Sequence, residues 1–241
     1  FKAPFDDLKL RQAVGYAINP EEINKGVVGG QAKLNKLPIP YGLLSWSDEL
    51  ANEIGFTPDP EKAKSLLDEA GWVANGDGVR QKDGKSLDIS LWTNSSTLRQ
   101  KMSEVIQFQL AQVGFNVTIQ PIDLGSFLAR LTDGEADIYL LQRGGDDPDT
   151  LNYTTNSDDS GIRNYQAINP DFKALIERGR ATTGAEERVQ IYEDAMRMYM
   201  GDAGLIPLFT FLSTVGLRSV VKDVKFSAYG APVYNDAYVE Q

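Results

Sequence analysis

The chain has 241 residues, 41% of them apolar and 24% charged, which is ordinary for a soluble globular protein able to bury a real core as one large domain or two small ones. A formal net charge of −10 argues against nucleic acid as a partner, because phosphate recognition needs a basic face, and no apolar run is long enough to span a bilayer. Cysteine and histidine are absent, which removes disulfides, thiolate nucleophiles, imidazole metal ligands and Ser-His or Cys-His catalysis.

The opening Phe1-Lys2-Ala3-Pro4-Phe5 lacks an initiating Met and reads as a mid-protein junction with any leader removed. Asp6 and Asp7 precede Leu8, Leu10, Val14, Ala17 and Ile18, a helical spacing with acids at the positive N-terminal end. Asn19 as cap and Pro20 as first residue predict a second short helix that stops near Gly29-Gly30. Residues 31–58 are proline-interrupted and lack periodicity, so they read as an extended loop. Asp59-Pro60-Glu61 and Gly71 bracket a helix, and the turn pairs around Asn75-Gly76 and Asp83-Gly84 flank a short hairpin. Asp77 belongs to a plain turn, since no Glu stands where a calcium loop requires one.

A strand is predicted over 87–92, a helix over 98–113 ending at Gly114, a strand over 115–119, a helix over 124–132 and a strand over 137–141. This β-α-β-α-β order is the pattern of a sheet with crossover helices. Residues 152–168 read as a polar stretch, followed by helices over roughly 170–180 and 185–201. Residues 206–211 and 215–217 look like paired strands, and 222–241 are aromatic and irregular. No phosphate-binding loop or dinucleotide fingerprint is present, and nothing calls for a cofactor or a metal.

Residues 136–151 are the most informative segment. The apolar run Ile138 to Leu141 breaks into Arg143, the pair Gly144-Gly145, and Asp146, Asp147 and Asp149 around Pro148. A strand end in an α/β sheet is where ligands usually sit. The glycines allow positive φ and close approach of backbone to ligand, and Arg143 supplies a planar donor fork. Taken alone, the segment reads more readily as a polar loop turned by Pro148.

Several pieces occur together in one order: Pro4-Phe5-Asp6-Asp7 with Arg11-Gln12-Ala13 and Tyr16-Ala17-Ile18-Asn19, Asp59 to Lys64 with Glu69-Ala70-Gly71, Ala136-Asp137-Ile138, Asp147-Pro148-Asp149, Asn169-Pro170-Asp171, Glu187-Arg188 with Ile191-Tyr192, and Ile206-Pro207-Leu208. In this order they resemble the C-terminal lobe of a family 5 extracellular solute-binding protein, the dipeptide and oligopeptide class that serves ABC importers. The resemblance implies an α/β fold: one lobe of a two-lobed periplasmic-binding-protein-like clamshell, a mixed sheet with flanking helices. It implies a ligand-binding lobe over residues 1–212. Residues 213–241 would then be a hinge-return segment that packs on an N-terminal lobe lying outside this chain. It further implies no enzymatic activity, a small peptide or peptide-like solute, ABC permease subunits as partners, and a place in the periplasm or on the outer face of a bacterial or archaeal cytoplasmic membrane.

For the site, the resemblance implies that Asp146, with Asp147 second, holds the ligand's α-amino group, while Asp149 belongs to the turn. Arg143 stands where relatives often carry Trp, which admits an anionic, opine-like or glutathione-like ligand. Trp92 is core or part of the ligand wall, the core being the favoured reading, and Asn94 ends the same strand. Arg99 is either a contact for the ligand carboxylate or a solvated helix charge. Two other readings stand beside this one. One is a sensor or regulatory relative with the same fold. The other is a hydrolase using two of Asp146, Asp147 and Asp149, which are crowded in one loop where acid/base work needs facing carboxylates.

Overall fold

Capping residues and apolar periodicity set most elements of the computed structural model, which describes the chain apart from residues 77, 133–134, 143, 157–164, 213, 228–230 and 241. Helix α1 (Leu8–Ala17) begins where the Asp7 carboxylate accepts from the Lys9 N–H at 2.9 Å. Helix α2 (Pro20–Ile23) is capped by Asn19 and runs into a π-turn over Asn24–Val28 that Gly29 closes at φ 72°. Residues 31–58 depart from the expected loop. They contain strand β1 (Ala32–Leu34) and helix α3 (Asp48–Ile54). The Ser47 hydroxyl caps α3 by accepting from the Leu50 N–H at 3.1 Å, and Leu50 and Ala51 are buried. Two helical turns are too short to show a periodic signal among prolines.

Helix α4 (Pro60–Glu69) is capped by Asp59 as expected. A small antiparallel sheet follows, of β2 (Val73–Ala74), β3 (Arg80–Lys82) and β4 (Lys85–Ser86). Strand β5 (Asp88–Asn94) then leads through helix α5 (Thr97–Ala111) to β6 (Asn116–Ile122), and helix α6 (Leu124–Thr132) leads to β7 (Ile138–Tyr139). The three strands form a parallel sheet in the order β6-β5-β7, with Leu91 opposite both Ile119 and Ile138. Gly114, at φ 102°, makes the turn from α5 into β6 in a conformation that a residue with a Cβ rarely adopts.

The described ends of the stretch 152–168 are more structured than its polar composition suggests. Helix α7 (Thr150–Thr155) and helix α8 (Tyr165–Ile168) bound it. Asn152, Thr155 and Gln166 are buried but satisfy one another: the Gln166 amide donates to Asn152 Oδ1 and Thr155 Oγ1, both at 3.0 Å. Helices α9 (Pro170–Ala181) and α10 (Ala185–Gly201) pack as a hairpin. Strand β8 (Phe209–Phe211) pairs antiparallel with β1, not with residues 215–217, which form no strand. The expected local hairpin is replaced by a partner 175 to 179 residues away, invisible to local pattern. The tail is also less irregular than expected. Strands β9 (Val221–Lys222) and β12 (Tyr238–Val239) pair with each other, as do β10 (Lys225–Phe226) and β11 (Pro232–Val233).

Two large apolar cores result. The first joins α1, α4, α5, β5 and β6 through Leu10, Leu67, Ile89, Leu110 and Phe115. The second joins α3 and α8 to α10 through Leu50, Tyr165, Phe172, Tyr192 and Tyr199. Among the described residues no helix is long and apolar enough to cross a membrane.

Candidate functional site

The parallel sheet ends where the two cores approach each other, and a hollow of about 1260 Å³ opens there. Leu91, Met102, Ile106 and Ile138 reach it from the sheet side, Tyr165 and Tyr199 from the helices, and Leu37, Ile39 and Ile206 to Phe211 from around β1 and β8. The loop after β7 contributes Leu140, Gln142, Gly144 and Gly145. The wall is therefore mostly apolar, and its charges can be followed one by one.

Lys2 Nζ lies 3.2 Å from the Asp137 carboxylate and donates to the Glu135 carbonyl. Asp137 Oδ2 accepts from the Ser90 N–H at 2.8 Å and the Ser90 hydroxyl at 2.7 Å. Burial pushes the Asp137 carboxyl up, but the Ser90 and Lys2 donors together hold it below the usual range. The Arg11 guanidinium donates to the Phe5 and Asp202 carbonyls, each at 2.8 Å, and stacks 3.8 Å over the Phe1 ring. Arg99, at the start of α5, is different. Its Nη2 donates to the neutral Gln142 Oε1 at 3.2 Å, and no ion pair with Arg99 occurs among the described residues.

The acidic loop faces two ways. Gly144 and Gly145 border the large hollow and also a second one of about 650 Å³ on the other side of the loop, lined by Asp146, Asp147, Asp149, Tyr153, Arg180 and Arg188. Gly145 does not adopt positive φ. It is required by crowding, because a Cβ there would lie 2.8 Å from the Thr150 Cβ. Asp146 is exposed on the second hollow. Asp147 accepts a two-pronged pair from Arg188 Nη1 and Nη2, both at 2.7 Å, which holds its carboxyl below the usual range. Asp149 does more than turn the chain. Its Oδ1 accepts from the Tyr192 hydroxyl at 2.9 Å, and burial pushes its carboxyl up.

Of the sequence-selected residues, the structure thus brings Arg99, Gly144 and Gly145 to the large hollow, and Asp146 and Asp147 to its neighbour. Trp92 is buried with Phe127 and Ala136, with the Arg130 guanidinium 4.5 Å over its ring, and is absent from the walls of both hollows. Asn94 Oδ1 accepts from the Ser96 N–H at 3.2 Å and shapes the turn into α5. Arg143 lies outside the described residues. Sequence reasoning missed Gln142 at the hollow and gave Arg188 and Tyr192 no role. Their i, i+4 spacing on α10 places both on one helix face, and that was the available signal.

Comparisons with known proteins agree with this fold. Residues 2–165 match the middle region of the bacterial extracellular solute-binding proteins, family 5. The dipeptide-binding protein of Escherichia coli K12 is 32% identical over 93% of the chain and 41% of its own length. The crystal structure of NikA from Brucella suis in complex with Fe(III)-EDTA superposes with a TM-score of 0.82 at 25% identity, over 98% of this chain and 48% of that one. A dipeptide-binding protein from Pseudoalteromonas in complex with Met-Leu gives 0.74 at 26% identity, over 99% and 46%. The chain spans less than half the length of the curated relatives named here and takes the fold of about half of a two-lobed binding protein. It belongs to family 5 of the bacterial extracellular solute-binding proteins.

Proposed function

We propose that this chain supplies one wall of the solute site of an ABC importer's binding protein, which captures a peptide or peptide-like solute outside the cytoplasmic membrane and delivers it to the permease. The observation that carries this reading is the apolar-walled hollow at the C-terminal edge of the parallel sheet, with Arg99 held there by a neutral partner. A guanidinium in such a setting is matched to a carboxylate. The backbone of Gly144 and Gly145 contacts the solute beside it, and the second lobe closes over both. Asp146, exposed beside the glycines, receives an ammonium group if the solute carries one. Residues 1–212 form the lobe and 213–241 pack against its partner. That division is supported by tail strands that pair with each other and with no strand of the lobe among the described residues.

The test uses the full-length protein that contains this chain. Purified natively and then denatured, it is expected to release a solute bearing a carboxylate, identified by mass spectrometry. Arg99→Ala is expected to weaken rebinding by about 2–5 kcal/mol, as for a charge pair with one partner removed. Asp146→Asn separates the two ends of the ligand, because it weakens only solutes with a free amino group. A released solute without any anionic group, or unchanged affinity in Arg99→Ala, overturns the assignment of Arg99.

A further inference from the structure

Both oxygens of the Asp147 carboxylate are engaged by protein. Its Oδ1 accepts from Arg188 Nη2 and from the Asp149 N–H at 2.8 Å, and its Oδ2 accepts from Arg188 Nη1. The same guanidinium donates from Nε to the Gly179 carbonyl at 2.9 Å, at the C-terminal end of α9. Arg188 therefore bridges the loop and the α9–α10 hairpin with every side of its fork in use. One turn further along α10, Tyr192 reaches Asp149. Its ring crosses α9 at Gly179, where an added Cβ would lie 2.8 Å from the ring, so only glycine lets the two helices close this far. At the loop's other end, the Thr150 hydroxyl donates to the Gly144 carbonyl at 3.2 Å, and the Thr150 N–H donates to the Asp147 carbonyl at 3.0 Å.

From this arrangement we infer that Arg188, seconded by Tyr192, is a positioning residue: it clasps Asp147 so that the glycine pair is held in register at the edge of the large hollow. The acidic cluster is then the anchor of a binding loop, with Asp147 reserved for protein and not for solute. This rests on the large hollow being the solute site. A single bond to a flexible side chain would leave the loop free to slide. A two-pronged pair fixes both distance and orientation, and the Gly179 carbonyl fixes the guanidinium itself.

The clasp is testable without any solute, so its failure is separate from failure of the solute reading. The readouts are the backbone amide resonances of Gly144 and Gly145, and hydrogen exchange at Thr150, Leu151 and Asn152. Arg188→Gln is expected to shift the glycine resonances and to accelerate exchange at these three amides at least tenfold, while β5 and α5 are unchanged. Arg188→Lys keeps the charge but loses the fork. It is expected to fall between parent and Arg188→Gln, and it carries the test if Arg188→Gln does not fold. Arg197→Lys is the control. It lies on the same helix and pairs with Glu53 at 2.8 Å, away from the loop, and is expected to leave the glycines where they are. Unmoved glycine resonances in both Arg188 variants, or equal movement in the Arg197 control, would overturn the inference.

Discussion

The two cores that meet at the hollow are built from different materials. The core around β5 and β6 is aliphatic, with Leu10, Leu67, Ile89, Leu110 and Val117 dominating, and its strand backbone groups bond along the parallel ladder. The core around α9 and α10 is aromatic. Tyr165, Phe172 and Tyr199 pack ring against ring at 4.8 to 5.7 Å, and two of its tyrosine hydroxyls end on carboxylates, Tyr165 on Asp202 and Tyr192 on Asp149. One half is held chiefly by apolar burial, and its few buried polar side chains lean on backbone, as Arg80 Nε does on the Val113 carbonyl at 2.8 Å. The other is held by burial and by polar groups that must find one particular partner. The second kind of half tolerates the loss of a hydroxyl less well, because a partly buried acceptor is left without its donor.

If that comparison is right, the two halves should respond alike to loss of apolar volume. Phe115→Ala in the aliphatic core and Phe172→Ala in the aromatic core remove rings that are 1% and 0% exposed. Each is expected to cost about 3–5 kcal/mol, read from urea unfolding. A cost for Phe172→Ala far below that for Phe115→Ala would break the comparison, since it would mean that the helical half is held mainly by its polar pairs.

Loss of a hydroxyl should separate them. The Tyr165 hydroxyl donates to Asp202 and accepts from the Asn169 amide at 2.9 Å. Tyr165→Phe keeps the ring and strands both partners, at an expected cost of about 1–3 kcal/mol by the same unfolding measurement. A change within a few tenths of a kcal/mol would show that water replaces the hydroxyl, and that the aromatic core is no more specific than the aliphatic one.

The same contrast explains what could be read from the sequence. The aliphatic half is written in local pattern: Asn19 and Asp59 cap their helices as expected, the acids before α1 stand at its N-terminal end, and the strands at β5 and β6 alternate. The parallel sheet and its crossover helices follow from those signals. The aromatic half depends on pairs such as Asp147–Arg188 and Asp149–Tyr192, separated by 41 and 43 residues, and no window of sequence contains both members. Polar residues that are buried together, such as Asn152, Thr155 and Gln166, look like loop until their mutual bonds are seen. At the site, the loop 140–149 was legible as a strand end with glycines and acids. Which acid is committed to protein was not, because that is decided by α10.

The smallest effect sharpens the comparison most, because it turns on two acids two residues apart. Asp147 sits below its unfolded value, held there by the Arg188 pair, so the native state binds its proton more weakly than the unfolded state does. Its stabilisation is present above the unfolded carboxylate range near pH 4 and is lost as pH falls through the folded value. Burial raises Asp149, with the Tyr192 hydrogen bond offsetting part of the rise, so the native state binds that proton more tightly. Its contribution is present below the unfolded value and is lost as pH rises through the folded one. The Asp147 side chain is 43% exposed, so solvent screens its share and keeps the change modest. Asp147→Asn is expected to lower stability at pH 7 and to flatten its fall toward pH 3. Asp149→Asn keeps an acceptor for Tyr192 and removes a charge that burial disfavours, so it is expected to match or exceed the parent at pH 7 and to lose that advantage below about pH 4. Urea midpoints measured from pH 3 to 7 give both slopes. Slopes altered in the same direction by the two substitutions would mean that the loop carries one shared negative charge, not a clasped acid beside a buried one.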